Sequence, residues 1–194
     1  MSVFSNNLLL GAGGKAGAEE FETDLISNSV WLDGSDDYFS FVIDSGSAVA
    51  HSTTKVIMAT WFQLTSLISE EALMMLGSGT GNTTTTGVYV QSSSRLAIQC
   101  NAATGVAKTN DLLRDGAWYH VLASFDLAQS GTDKAKLYIN GIEVTSWNGT
   151  DGRGNMGTTF SSTTNYEIGR IYQGGNFTGY LAQSLFLDGK SIQA

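Results

Sequence analysis

The sequence predicts an all-β fold in which two antiparallel sheets pack face to face behind a short N-terminal arm. Three observations predict it. Short apolar stretches are separated by clusters of Gly, Ser, Thr, Asn and Asp, several stretches alternate apolar and polar residues at period two, and helix-forming runs are nearly absent. The 194 residues suit one well-filled domain, since 42% are hydrophobic and only 14% charged. There are 23 glycines for turns and no proline, so no proline isomerisation can slow folding. We divide the chain into an arm, residues 1–28, and a sandwich domain, residues 29–194.

The elements follow in order. Val30-Trp31-Leu32 and Tyr38 to Ile43 read as strands divided by the turn residues Asp33 to Asp36. Lys55 to Leu64 is a longer apolar stretch that suits a central strand buried on both faces. Ser66 to Leu76 reads as a strand preceded by a short helical turn. Gly87 to Cys100 reads as a hairpin turning at Ser92 to Ser94, with Val88 and Val90 on one face and Leu96, Ile98 and Cys100 in step. That alternation makes Cys100 a buried, inert thiol. Trp118 to Leu127 and Ala135 to Val144 are the next strong signals, the second folding back at Asn140-Gly141, a type I′ turn dipeptide. Tyr166 to Ile171 and Phe177 to Leu187 close the domain. Trp31, Trp61 and Trp118 are expected in the core because they sit on strands.

Charge and composition exclude several classes of partner. A net charge of -8 repels phosphate backbones and anionic lipid, so neither nucleic acid nor a membrane is an expected partner. No apolar run approaches the roughly 18–20 residues of a membrane helix. No signal peptide is visible, and the single cysteine fits synthesis in a reducing cytoplasm. The sequons at Asn82, Asn148 and Asn176 then read as accidents of a chain rich in Asn, Ser and Thr.

Catalytic patterns fail on inspection. Gly11-Ala12-Gly13-Gly14-Lys15-Ala16 fits Gly-x-Gly-x-x-Ala, but no strand–helix context surrounds it, and Ala16 breaks the P-loop pattern. Glu20, Glu22 and Asp24 alternate outside any strand and read as solvated acids. His51 and His120, with one cysteine, support neither a hydrolytic triad nor zinc. No catalytic residue and no cofactor are expected.

Several segments together resemble the concanavalin A-like lectin, glucanase and laminin-G-like jelly rolls. Val30 to Ser40 (VWLDGSDDYFS) resembles their opening hairpin, and Ala59-Thr60-Trp61-Phe62 their central aromatic strand. Asp115 to Val121 (DGAWYHV) is similar to their Gly-x-Trp-x-His-Val strand, and Leu137 to Val144 (LYINGIEV) to the hairpin after it. Ile168-Gly169 and Phe177 to Ala182 resemble the closing strands. The resemblance implies a concanavalin-like jelly roll over residues 29–192 and makes His120 a structural position. The glucanases of this fold set catalytic carboxylates at alternate positions of one strand; no such row exists here.

Several relatives bind calcium through loop oxygens. Asp33, Asp36 and Asp37, and Asp151 with Asn155, are oxygen donors of that kind, although their spacing fits no EF-hand and local turn bonding accounts for them equally. With its leader Asn6 to Gly11 (NNLLLG), the chain also resembles structural proteins of tailed bacteriophages. That implies a non-enzymatic virion component, in capsid decoration or in the tail or fibre, made in the host cytoplasm. Its partners would be other virion proteins and copies of itself. Phe4, Leu8, Leu9 and Leu10 would be the arm's apolar contacts, docking on a neighbouring subunit or on its own domain. The alternative is a carbohydrate-binding module, with Trp147 and Tyr172 as rings that stack on a sugar.

Overall fold

The computed structural model describes residues 28–42, 52–66, 70–77, 85–101, 104–160, 165–170 and 175–192. The arm contacts Phe4, Leu8, Leu9 and Leu10, as well as Ile43, His51 and Tyr172, lie outside these residues. Among the described residues there are twelve strands, no α-helix, and so no helix long and apolar enough to cross a membrane.

The strands are β1 (Val30–Asp33), β2 (Phe39–Val42), β3 (Lys55–Leu64), β4 (Glu71–Leu76), β5 (Thr86–Gln91), β6 (Arg95–Cys100), β7 (Val106–Lys108), β8 (Trp118–Asp126), β9 (Ala135–Ile139), β10 (Ile142–Glu143), β11 (Asn165–Ile168) and β12 (Thr178–Asp188). They form two six-stranded sheets, ordered β1-β12-β3-β8-β9-β10 and β2-β11-β4-β5-β6-β7. All pairings within them are antiparallel.

β3 is the central strand that its apolar length predicts, and most of its residues are buried. The β5–β6 hairpin turns through Ser92 to Ser94, with Ser94 at φ 57, and the N–H of Ser94 donates to the carbonyl of Gln91. Val88, Val90, Leu96, Ile98 and Cys100 all enter the core between the sheets, joined by Phe62, Phe125, Leu137 and Phe177. Burial pushes the Cys100 thiol up to about 11, which makes it inert at neutral pH. Asn140 and Gly141 both hold positive φ, 50 and 79, as a type I′ turn requires.

Three expectations need correction. β1 and β2 do not form a hairpin: β1 pairs with β12 in the first sheet and β2 with β11 in the second. The loop Gly34–Tyr38 therefore crosses from one layer to the other, and the two edge strands part around it. β7 carried too few residues to show a period and was not expected. Trp31 and Trp61 are not core residues, and alternation carries them to the outward face of the first sheet; Trp118 is buried as expected, but on that same outward face rather than in the cluster between the sheets.

The flank beside β7 and β9 is closed by the segment 144–160. It includes a 3₁₀ turn, Gly152–Asn155, and it contributes Met156 and Phe160 to the core.

Candidate functional site

The outward face of the first sheet carries a ridge of rings. Register places Trp31, Tyr180, Gln63 and Trp118 in one row across β1, β12, β3 and β8. Cross-strand partners share a face, so all four point away from the core. The next row holds Ala182, Trp61 and His120. The Trp31 and Tyr180 rings lie 4.9 Å apart at 58°, and Trp118 stands 6.4 Å from Tyr180. Trp61 and His120 lie 5.1 Å apart.

Exposure grades along the ridge. Trp31, on the edge strand, is 43% exposed, Tyr180 and Trp61 are half-buried, and Trp118 is buried at the inner end. Polar groups hold the rows in place. Gln63 Nε2 donates to the Gly116 carbonyl at 2.8 Å, and Asn140 Oδ1 accepts from the His120 N–H at 2.8 Å. Burial holds the His120 imidazole below its ordinary pKa, so it is neutral at pH 7 and adds no charge to the ridge.

Asp33 extends the same face, two residues beyond Trp31 on β1. Carboxylate oxygens of Asp33, Asp36 and Asp37 come within 4.8 Å of one another, and all three residues are exposed. Their geometry is partly that of a local turn: Asp33 Oδ1 accepts from the Ser35 N–H at 2.7 Å, and Asp37 Oδ2 from the Asp33 N–H at 3.3 Å. Asn176 Nδ2 donates to the Ser35 carbonyl and ties this loop to the start of β12. Oxygen donors in such a cluster are of the type calcium takes, and equally of the type that accepts hydroxyl protons.

Trp147 sits elsewhere, in the segment that closes the β7 flank. Its ring packs against the core, and the Arg153 guanidinium stands over it at 4.7 Å. Its Nε1–H is shielded and finds no acceptor among the described residues. Asp151 is the partner of Arg153, at 2.7 Å. Burial opposes the ionisation of Asp151, but the Arg153 bonds outweigh it and hold the carboxyl below its ordinary pKa. The Asp151 side chain is thus engaged within the protein, and it also caps the 3₁₀ turn through the Arg153 N–H.

Two carboxylates are buried in the second sheet, and both have structural partners. Glu167 accepts from Arg170 Nη2 at 2.6 Å, and that guanidinium also stacks on Tyr38. Glu71 Oε2 accepts from the Thr178 N–H at 3.1 Å.

Sequence reasoning missed the ridge, although a signal for it existed. Trp61 shares its parity with Gln63 and Lys55, and Trp118 shares its parity with His120. Polar residues of the same parity mark the outward face of a strand.

Comparison with known proteins agrees with this architecture. The family model described as the concanavalin A-like lectin/glucanases superfamily matches residues 33–189. No curated protein is similar enough in sequence to match. Among solved structures, the chain is similar to a native heptameric SAP-like pentraxin from Limulus polyphemus. The TM-score is 0.55 and the identity 14%, over 81% of this chain and 74% of that one. It is also similar to domains LG4–5 of the mouse laminin alpha1 chain, with TM-score 0.55 and 14% identity, over 81% of this chain and 40% of that one. A third similar structure is the CBM40 of the Ruminococcus gnavus IT-sialidase bound to α2,3-sialyllactose. Here the TM-score is 0.55 and the identity 12%, over 85% of this chain and 91% of that one. At these identities the likeness is one of fold.

Proposed function

The chain belongs to the concanavalin A-like lectin/glucanase superfamily, and from that premise we propose that it is a non-enzymatic attachment module whose ligand is a glycan. The observation that carries this reading is the ring ridge that opens at Trp31 and ends at the carboxylates of Asp33, Asp36 and Asp37. A sugar offers an apolar C–H face that stacks on a ring, and hydroxyls that donate to carboxylate oxygens. The acidic loop and the net charge of -8 favour a neutral glycan over an anionic one. We place the sugar on the Trp31 ridge rather than on Trp147, whose ring already carries Arg153 on one side.

The engagement of Glu167 by Arg170 and of Glu71 by the Thr178 N–H supports a module without hydrolytic chemistry. The setting we infer is the virion of a tailed phage, in capsid decoration or in the tail or fibre, beside other virion proteins. What supports that setting is the resemblance of the leader Asn6 to Gly11 alone.

A glycan array probed with the full chain, followed by calorimetry on the best neutral hit, tests the reading. Trp31→Ala should weaken binding about tenfold, the loss of roughly 1.4 kcal/mol expected from one stacking ring. Its unfolding midpoint should fall only modestly, by no more than the about 0.5–1.5 kcal/mol of the Trp31–Tyr180 ring contact, because the residue lies on an edge strand outside the core cluster. A silent array, or a hit indifferent to Trp31→Ala, overturns the assignment.

A further inference from the structure

The ridge on the first sheet holds two separate ring stations. One is Trp31 with Tyr180, their rings 4.9 Å apart, and the other is Trp61 with His120, 5.1 Å apart. Register fixes the distance between them. Gln63 shares the row of Trp31 and Tyr180, and Trp61 lies two residues back along the same strand, β3. Two strand spacings across the sheet and one two-residue step along it put the Trp31 and Trp61 backbones about 12 Å apart. The line joining them crosses β12 between the Tyr180 ring and Ala182, whose single methyl group leaves that side low. The stations thus run obliquely over β1, β12, β3 and β8.

The chemistry of the two rows suits a neutral ligand with many hydroxyls. Trp31, Tyr180, Gln63 and Trp118 in the first row and Ala182 and Trp61 in the second carry no charge, and His120 is neutral at pH 7. Polar atoms stand beside both stations. Tyr180 brings its hydroxyl to the first. Beside the second, the Gly116 carbonyl holds Gln63 Nε2, which leaves Oε1 of that amide for another donor. His120 is half-buried, and among the described residues nothing bonds to its ring nitrogens; neither nitrogen is among the polar atoms sealed from solvent. A neutral imidazole offers one donor and one acceptor.

We infer, resting on the glycan reading above, that the ligand is an extended neutral polysaccharide bound along its length, with one sugar on Trp31 and Tyr180 and a later sugar of the same chain on Trp61 and His120. A single pyranose cannot span about 12 Å between backbones two strands apart. A chain spans it when its stacking faces recur in line, as they do in the ribbon formed by β-1,4-linked pyranoses. The C–H faces of such a ribbon meet the rings, and its border hydroxyls meet Gln63 and His120. Once the first sugar is seated, the second binds at the raised effective concentration of a tethered group. A sheet face has no wall to enclose a chain end, so the site takes internal units. Trp61 is then the residue that makes binding depend on chain length.

Calorimetry on the full chain tests this with cello-, xylo- and manno-oligosaccharides of one to six units. In at least one series the affinity should rise about tenfold from the shortest sugar that binds to the hexasaccharide, the gain expected from a second stacking ring. Trp61→Ala should return the hexasaccharide to the affinity of the shortest binder and leave that binder unaffected, whereas Trp31→Ala should weaken both. His120→Ala, a smaller change to the sheet surface, should weaken the hexasaccharide several-fold and spare the shortest binder. A series bound equally at every length, or a length gain that survives Trp61→Ala, overturns the inference and leaves the glycan reading standing. The same holds if all three series fail while an array hit depends on Trp31. A silent array removes both.

Discussion

Arg153 is where a single substitution should do most harm to the closed flank. Its Nε and Nη2 donate to the Asp151 carboxylate at 2.9 and 2.7 Å, and its Nη1 donates to the Ala135 carbonyl at 3.0 Å. The same guanidinium covers the Trp147 ring. Arg153→Ala removes all of these together. Each hydrogen bond to a charged group is worth about 1.5–3 kcal/mol when buried, and a half-desolvated cation–π contact adds about 0.5–1 kcal/mol. Asp151 is 25% exposed at its side chain, so solvent recovers part of the loss. We expect a destabilisation of about 2–4 kcal/mol at pH 7, read from urea unfolding.

Acid supplies an internal control. The Asp151 carboxyl is held below its ordinary pKa in the fold, so its contribution is fully present above the unfolded value and is lost as pH falls through the folded one. The gap between wild type and Arg153→Ala should therefore narrow on acidification from pH 7 to pH 3. Arg153→Lys keeps the charge without the planar fork and should fall between the two. An unchanged midpoint at pH 7, or a gap that stays constant into acid, refutes the clasp.

Two further predictions concern the body of the sandwich. A Cβ at Gly87 would collide with the Met74 carbonyl oxygen and the Met75 sulfur, whereas one at Gly141 meets nothing. Gly87→Ala should thus cost about 3 kcal/mol, at the upper end of overpacking. Gly141→Ala should cost only the roughly 1–2 kcal/mol of its left-handed backbone, and equal losses in chemical unfolding would sink the distinction. Burial pushes the hydroxyls of Tyr89 and Tyr166 up to about 12, with Glu70 adding to the rise at Tyr89 and Asp188 at Tyr166. The native state then holds protons that the unfolded chain releases near pH 10, so stability should fall by on the order of 2–3 kcal/mol per tyrosine between pH 10 and 12. Stability that stays level across that window contradicts their burial.

Much of the fold was legible because antiparallel strands write their period into the chain. The β5–β6 hairpin shows it best: Val88, Val90, Leu96, Ile98 and Cys100 alternate in the sequence and share one core face. The parting of β1 and β2 was not legible. A short polar link between two apolar stretches favours a hairpin on local grounds, and nothing between Asp33 and Tyr38 reveals that each strand has a distant partner. Only the pairings with β11 and β12, more than a hundred residues along, decide the matter.

The site was missed for a related reason. Period two separates the two faces of a strand but does not say which one meets the other sheet. In β3 both parities are apolar: Val56, Met58 and Phe62 on one side, Ile57, Ala59 and Trp61 on the other. Hydrophobicity alone then draws tryptophan inward. The polar marks of Lys55, Gln63 and His120 decide the orientation, because side chains this long and polar would be left without partners in the core, whereas the short Thr60 hydroxyl on the core parity reaches the Ala182 carbonyl and Ser184 Oγ. Once the face is assigned, Trp31 becomes the informative residue. Phe62 and Leu181 already supply the interior beneath that end of the sheet, so a ring this large on an edge strand, left 43% exposed, contributes little to packing there. Packing on Tyr180 accounts for the covered part of the Trp31 ring, and a surface that stacks on a ligand would account for the part left exposed. The ridge and its acidic end are best understood together on that ground.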